Sequence, residues 1–366
     1  MWHNFLLAGA LASFVSLASF AVPAGAQSQA RNVVVITIDG LRWQEMFTGA
    51  DSAYFKKDKG GLATATEKRF MRPTADERRA VLMPFIWGGV AQDGQIFGDP
   101  SRKSRAHITN GLWFSYPGYN EMFSGAADPR IDSNDKIPNP NVTVLEWLNT
   151  RPGFEGKVAA FGAWDVLPFI VNTGRSRVPV GSGFVPVPSA KTDRQREINE
   201  LAQDLPRYWD YGTFDAPIVA AAIESLRTDQ PRVLYVMLGE GDEWAHEGRY
   251  DLYLDAAQRA DRFIKRIWDT LQSLPGYRGQ TTLLVTTDHG RGATVKDWTD
   301  HGRDVPAAEN TWFAAIGAGV APLGVREGTT VTTSQLAATI AAVVGEDFNA
   351  ASPKAAPGLP GIAVRK

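Results

Sequence analysis

Three apolar, β-branched runs in this chain each stop at an aspartate within a few residues, and this pattern constrains the fold more than any other feature. Asn32-Val-Val-Val-Ile-Thr-Ile38 runs into Asp39, Arg232 to Leu238 into Gly239-Glu240-Gly241-Asp242, and Thr281 to Thr287 into Asp288-His289-Gly290. Unbroken apolar runs of this length read as strands buried on both faces, as in parallel sheets. Parallel neighbours bring their C-terminal ends to one edge, which is where doubly wound α/β proteins place their sites. Three carboxylates gathered there repel one another and raise their own pKa values unless cations lie between them. The competing role for each aspartate, taken singly, is a cap on the following helix.

The histidines bear on that choice. The chain has five, and His246, His289 and His301 each lie within four residues of an aspartate. Asp242 and His246 are spaced i, i+4, so on one turn of helix they point the same way and grip a common ion. His289 adjoins Asp288, and His301 follows Asp300 in a glycine-bounded loop, whereas His107 reads as a surface or hydrogen-bonded histidine. A mixed Asp/His set suits zinc, with manganese or iron as alternatives, and suits calcium poorly. Two clusters imply two ions.

Asp39, the stretch Ser115-Tyr-Pro-Gly-Tyr-Asn-Glu-Met-Phe-Ser-Gly125, Asp242-Glu-Trp-Ala-His246, Thr287-Asp-His-Gly290 and His301 occur in an order that resembles the alkaline phosphatase superfamily. The chain looks most like the branch of nucleotide pyrophosphatases and phosphodiesterases. The resemblance spans residues 32 to 317 and implies a three-layer α/β/α sandwich with a mostly parallel central sheet and small inserted lid segments. It implies that Asp242, His246 and His301 hold one ion, and that Asp39, Asp288 and His289 hold the other together with Ser115. Ser115 matches the family's Thr or Ser nucleophile, which attacks phosphorus to form a phosphoserine intermediate. Pro117-Gly118 sets Ser115 at a helix N-terminus, where the Tyr116 backbone N–H is placed to meet a phosphoryl oxygen; an N-cap is the other role open to Ser115.

The departures concern substrate. Relatives read Thr-Phe-Pro-Asn-His where this chain reads Ser115-Tyr-Pro-Gly-Tyr119. Asn134 is the candidate for holding the free phosphoryl oxygens, with Asn120, Arg42 and Lys136 as alternatives. Ser115-x-Pro117-x-Tyr119 lacks the arginine of the sulfatase motif, which disfavours a sulfatase. The resemblance therefore implies hydrolysis of a small-molecule phosphodiester or phosphomonoester. A phosphomutase or transferase of the same superfamily is the second reading, and a catalytically inactive, metal-stabilised binding protein the third.

The remaining sequence bounds the setting. Residues 1–26 carry no charged side chain, and an apolar run from Phe5 to Val22 leads to Ala24-Gly25-Ala26, a signal-peptidase pattern, so the reading is cleavage and a periplasmic or secreted protein with no stable membrane anchor. No lysine or arginine precedes that run. With 38 Lys+Arg against 40 Asp+Glu, the net charge of -2 gives no electrostatic basis for nucleic acid as a partner. The absence of cysteine excludes disulfides, thiolate ligands and cysteine nucleophiles. Residues 27–366 are expected to form one domain, with exposed insertions at about 51–110 and 171–230. Trp164-Asp165 is either part of the substrate wall or a core tryptophan with a capping aspartate. A strand and helix end over Met83 to Val90 and Gly94 to Phe97, feeding Ile108 to Phe114, and a loosely ordered tail from Ala351, complete the expectations.

Overall fold

The computed structural model describes residue 1 and residues 30–56 and 61–363; apart from Met1, the expected export signal lies outside them. The strands in chain order are β1 (Asn32–Ile38), β2 (Gly94–Phe97), β3 (Arg105–His107), β4 (Val158–Gly162), β5 (Val180–Ser182), β6 (Val233–Leu238), β7 (Thr281–Thr286), β8 (Asn310–Thr311), β9 (Phe313–Gly317), β10 (Gly324–Val325) and β11 (Thr330–Thr332). Eight of them form the main sheet in the order β10-β2-β9-β7-β1-β6-β4-β5, while β11-β3-β8 form a small second sheet. The five-strand block β7-β1-β6-β4-β5 is parallel throughout. Antiparallel β9 joins β7 to β2 on the other flank.

The three runs that end in aspartate are the three central strands, and every residue of β1, β6 and β7 is buried. Alternate side chains feed two cores: Val34, Ile36 and Ile38 pack on one face, Val33 and Val35 on the other. A helix of twenty-four residues, Tyr250–Ser273, covers the first face with Ala256, Ala260, Phe263, Ile264, Ile267 and Leu271. It stops where Leu274 turns extended, as the residue before Pro275 must. Helices Ser115–Ser124, Val144–Asn149 and Gln335–Val343 cover the second face. The result is the three-layer α/β/α sandwich.

The segments expected as insertions are partly built into this frame. Residues 51–110 supply β2 and β3 after two amphipathic helices whose Phe70 and Leu82 are buried. Residues 171–230 supply edge strand β5 and the buried helix Asp215–Thr228. Of the expected strand and helix end, the helix end is a widened helical turn over Ile86–Val90 and the strand is β2 at Gly94–Phe97; Asp261 accepts the Phe85 and Ile86 N–H groups and pins that turn to the long helix. The Ile108 to Phe114 stretch is loop. The tail is not loose as far as Ala363: Ala355, Leu359 and Ile362 are buried in the second core, which their apolar side chains suffice to explain.

Candidate active site

The site lies at the C-terminal edge of the central strands because the register puts it there. Ile38 of β1 pairs with Leu238 of β6, and Thr37 with Thr286 of β7, so Asp39, the Glu240–His246 helix and Asp288 leave the sheet side by side. Asp242 and His246 occupy one face of that helix. Gly40 takes a φ of +61°, and a Cβ there would lie 2.5 Å from Asp242 Oδ1, so the turn after Asp39 demands glycine. Its N–H donates to Asp288 Oδ1 at 3.1 Å.

Ser115 is delivered by the loop from Ile108 to Phe114. The buried Glu121 carboxylate accepts the Thr109 N–H and hydroxyl, and Asn110 Oδ1 accepts the Leu112 and Trp113 N–H groups. Trp113 is held at a φ of +56°, a left-handed conformation that costs on the order of 1–3 kcal/mol for such a residue. Phe114 is the N-cap and Ser115 the first helical residue, so its hydroxyl is not used as a cap. Ser115 Oγ instead lies 3.4 Å from His289 Nε2.

Gly118 sits against the Asp288 carbonyl, where a Cβ would approach to 2.7 Å, which explains the glycine in Ser115-Tyr-Pro-Gly118. Gly118→Ala is expected to cost about 1–3 kcal/mol of stability. It should lower kcat beyond any effect of that loss, because relief of the clash moves Ser115 away from His289. Chemical denaturation and turnover of the same variant test this, and an unchanged kcat would refute it.

Two groups of ligand-type side chains lie here, one against Ser115 through His289 and the other sharing its cleft. In the deeper one, His289 Nε2 lies 3.4 Å from both Asp39 Oδ1 and Asp288 Oδ2, and all three residues are buried. His289 Nδ1 donates to the Gly290 carbonyl at 2.8 Å, which turns Nε2 toward the carboxylates. In the outer group, His246 Nε2 lies 3.2 Å from Asp242 Oδ2 and 3.0 Å from His301 Nε2. His301 stacks on His289 with ring centroids 4.0 Å apart. Asp242 Oδ1 joins the groups, 3.8 Å from His289 Nε2.

This donor set fits divalent cations. Asp39 Oδ1 and Asp288 Oδ2 are buried without a hydrogen-bond partner. Burial, then the neighbouring Asp39, pushes the Asp288 carboxyl far above its ordinary range. Burial alone would lower the His289 pKa, but Asp288, Asp39 and Asp242 raise it to about 9. Oxygens and nitrogen converge on one point, and that point calls for positive charge.

Asp39, Ser115, Asp242, His246 and His301 line a cleft of about 360 Å³ with Asn134, Lys136, Trp164, Asp165, Tyr211 and Glu243. Asn134 Oδ1 accepts the Tyr116 N–H at 2.9 Å. That N–H is therefore occupied rather than open to a phosphoryl oxygen, and the Tyr116 ring turns away to donate to the Ile137 and Phe169 carbonyls. Because a backbone donor fixes which end of the Asn134 amide is oxygen, its Nδ2 remains as the donor. Of the alternatives, Arg42 is buried in an ion pair with Glu45, and Asn120 holds Asn139 and Asn141 inside the second layer. Lys136 does reach the cleft, bound to Asp165 at 2.6 Å. Trp164 and Asp165 thus belong to the wall. Burial, with Asp242 nearby, pushes Glu243 up to about 8, and Tyr211 OH donates to it.

Residues not singled out in the sequence complete the support. Tyr119 OH donates to Asp39 Oδ2 at 2.8 Å, and the fully buried Arg291 pairs with Asp242. Tyr119 lies one helical turn after Ser115, and Arg291 directly follows Asp288-His289-Gly290; proximity to the motifs was their only signal.

Residues 210–347 match the family described as the Metalloenzyme superfamily. The 2,3-bisphosphoglycerate-independent phosphoglycerate mutase of Pseudomonas putida (strain GB-1) is 22% identical over 273 residues, covering 74% of this chain and 49% of that protein. The chain thus spans about half the length of the curated relative it matches. The crystal structure of alkaline phosphatase PafA superposes with a TM-score of 0.60 at 10% identity, over 93% of this chain and 100% of that one. A phosphonate monoester hydrolase of Silicibacter pomeroyi gives 0.53 at 16% identity, over 90% and 75%. The fold is therefore that of the alkaline-phosphatase-type structures it superposes on, and the segment matching the Metalloenzyme superfamily carries Asp242, His246, Asp288, His289 and His301.

Proposed function

We propose that this protein is an exported hydrolase of phosphodiesters, of the nucleotide pyrophosphatase/phosphodiesterase kind, working with two divalent ions, zinc by preference, through a phosphoserine intermediate. The observation that carries the reading is the placement of Ser115 Oγ, uncapped at the first residue of its helix, 3.4 Å from His289 Nε2 and in one cleft with Asp242, His246 and His301. The ions, when bound, supply positive charge to phosphoryl oxygens and lower the pKa of oxygen nucleophiles. Asp39, Asp288 and His289 hold one ion beside Ser115, and Asp242, His246 and His301 hold the other. Ser115 Oγ forms the new bond to phosphorus as the leaving alkoxide departs from the opposite side. Water then cleaves the bond between Oγ and phosphorus. Asn134 Nδ2 holds a non-bridging oxygen, oriented by the bond between its Oδ1 and the Tyr116 N–H.

Charge favours the diester. Among the described residues lining the cleft, Lys136 is the only lysine or arginine, and Asp165 neutralises it. A monoester dianion asks for more positive charge than that, whereas a diester carries a single negative charge. Trp164 and Tyr211 offer flat apolar surface for its second substituent.

The purified protein loaded with zinc or manganese should hydrolyse bis(4-nitrophenyl) phosphate faster than 4-nitrophenyl phosphate, and 4-nitrophenyl sulfate slowest. Faster monoester turnover would overturn the diester reading, and transfer to an alcohol in place of water would favour the transferase reading. Asp165→Asn releases Lys136 and is expected to raise the monoester-to-diester ratio of kcat/KM by roughly five- to tenfold, the effect of a partly exposed charge contact near 1 kcal/mol. An unchanged ratio would show that Lys136 does not face the transferred group.

A further inference from the structure

We propose that Arg291 is a built-in cation of the outer Asp/His group and that it makes the two ion positions unequal, the Asp242–His246–His301 position being the weaker and exchangeable one. The inference rests on the two-ion reading above. The fully buried Arg291 guanidinium bonds both Asp242 Oδ1 and the Asp242 carbonyl, the latter at 3.0 Å, and also donates to the Thr299 carbonyl. It thereby joins the helix that carries Asp242 and His246 to the loop that carries His301. The group is held together by protein alone.

The same contact takes charge away from any ion. Asp39 and Asp288 offer two carboxylates with no lysine or arginine among the described residues bonded to either, which matches a divalent ion when His289 is neutral. Asp242 is the single carboxylate of the outer group, and its charge is already offset by Arg291. A divalent ion there is left without counter-charge until an anion arrives in the cleft.

Two further observations point the same way. His246 is 43% exposed, against full burial of His289. His289 Nδ1 is tied to the Gly290 carbonyl, whereas His301 Nδ1 is buried with no partner, and a ligand ring lacking that outer bond binds metal less well by about 10- to 100-fold. By linkage, an anion bridging the cleft must tighten the outer ion by the factor with which that ion tightens the anion.

The test titrates metal-stripped full-length protein with zinc and counts ions per chain by elemental analysis after gel filtration. One ion should remain after filtration, the second appearing with a Kd at least about tenfold weaker. Inorganic phosphate should strengthen the second ion and leave the first unchanged. His246→Ala should remove only the weak ion, and Arg291→Met should bring the two affinities together. If Arg291→Met does not fold, the phosphate and His246→Ala measurements decide alone. Two ions of equal affinity in the wild type, insensitive to phosphate, would overturn this inference and leave the two-ion reading standing. Absence of any bound ion would overturn both.

Discussion

Ser115→Ala is expected to lower phosphodiester turnover at least about ten-thousandfold while leaving the bound ions unchanged in number. The loss is large because the hydroxyl is the atom that would form the new bond, and no other described side chain of that chemistry lines the cleft. The ions persist because Asp39, Asp288 and His289 converge without the serine. Folding is little disturbed as well: Ser115 is not the N-cap, so alanine at this first helical position sacrifices no capping bond. Single-turnover assays, elemental analysis and a melting curve on one preparation separate these effects. Full activity in the variant would remove Ser115 from the chemistry. Loss of activity together with loss of metal would instead make it a ligand whose catalytic role is unproved.

Much of this site is legible in the amino-acid sequence. Asp39, Asp242 and Asp288 announced themselves because a buried strand that stops at a carboxylate leaves few physical explanations, and the parallel register then places them together. The i, i+4 spacing likewise placed Asp242 and His246 on one helix face. Contacts between distant segments were hidden. Asn134 was legible as a polar residue in a loop, but nothing in the chain shows that its oxygen would capture the Tyr116 N–H and so occupy a donor expected to face substrate. Lys136 and Asp165 are twenty-nine positions apart, and their pairing, which decides the charge of the cleft, emerges only when β4 runs beside β6. The Arg291 charge was visible, but not its direction: the Gly40 turn leaves space that the guanidinium fills. The docking of the tail beyond Ala351 is hidden in the sequence because its Pro and Gly content masks the three apolar residues that hold it.

Asp288→Asn should produce opposite effects on the loaded and the stripped protein. With ions present, the variant is expected to bind the deeper ion at least about 100-fold more weakly, since an amide replaces one of only two carboxylates on that position. Binding to the folded state stabilises it by RT ln(1 + [L]/Kd), about 4 kcal/mol at a thousandfold excess over Kd, so the loaded wild type should melt well above the loaded variant. Without ions the order reverses. Asp39 and Asp288 then face each other around one imidazole, and Asp288 Oδ2 is a buried acceptor with no partner. An asparagine is neutral without taking up a proton, whereas the stripped Asp288 must either carry its charge beside Asp39 or be protonated, and the amide offers an N–H to the neighbouring carboxylate while its oxygen keeps the Gly40 N–H. The stripped variant is therefore expected to be more stable than the stripped wild type, by about 1–3 kcal/mol. Melting curves of both proteins with zinc and with chelator give the four values required. If the stripped wild type is the more stable, the carboxylates are not in the repulsion that a cation would relieve, and the case for an ion at Asp39, Asp288 and His289 fails.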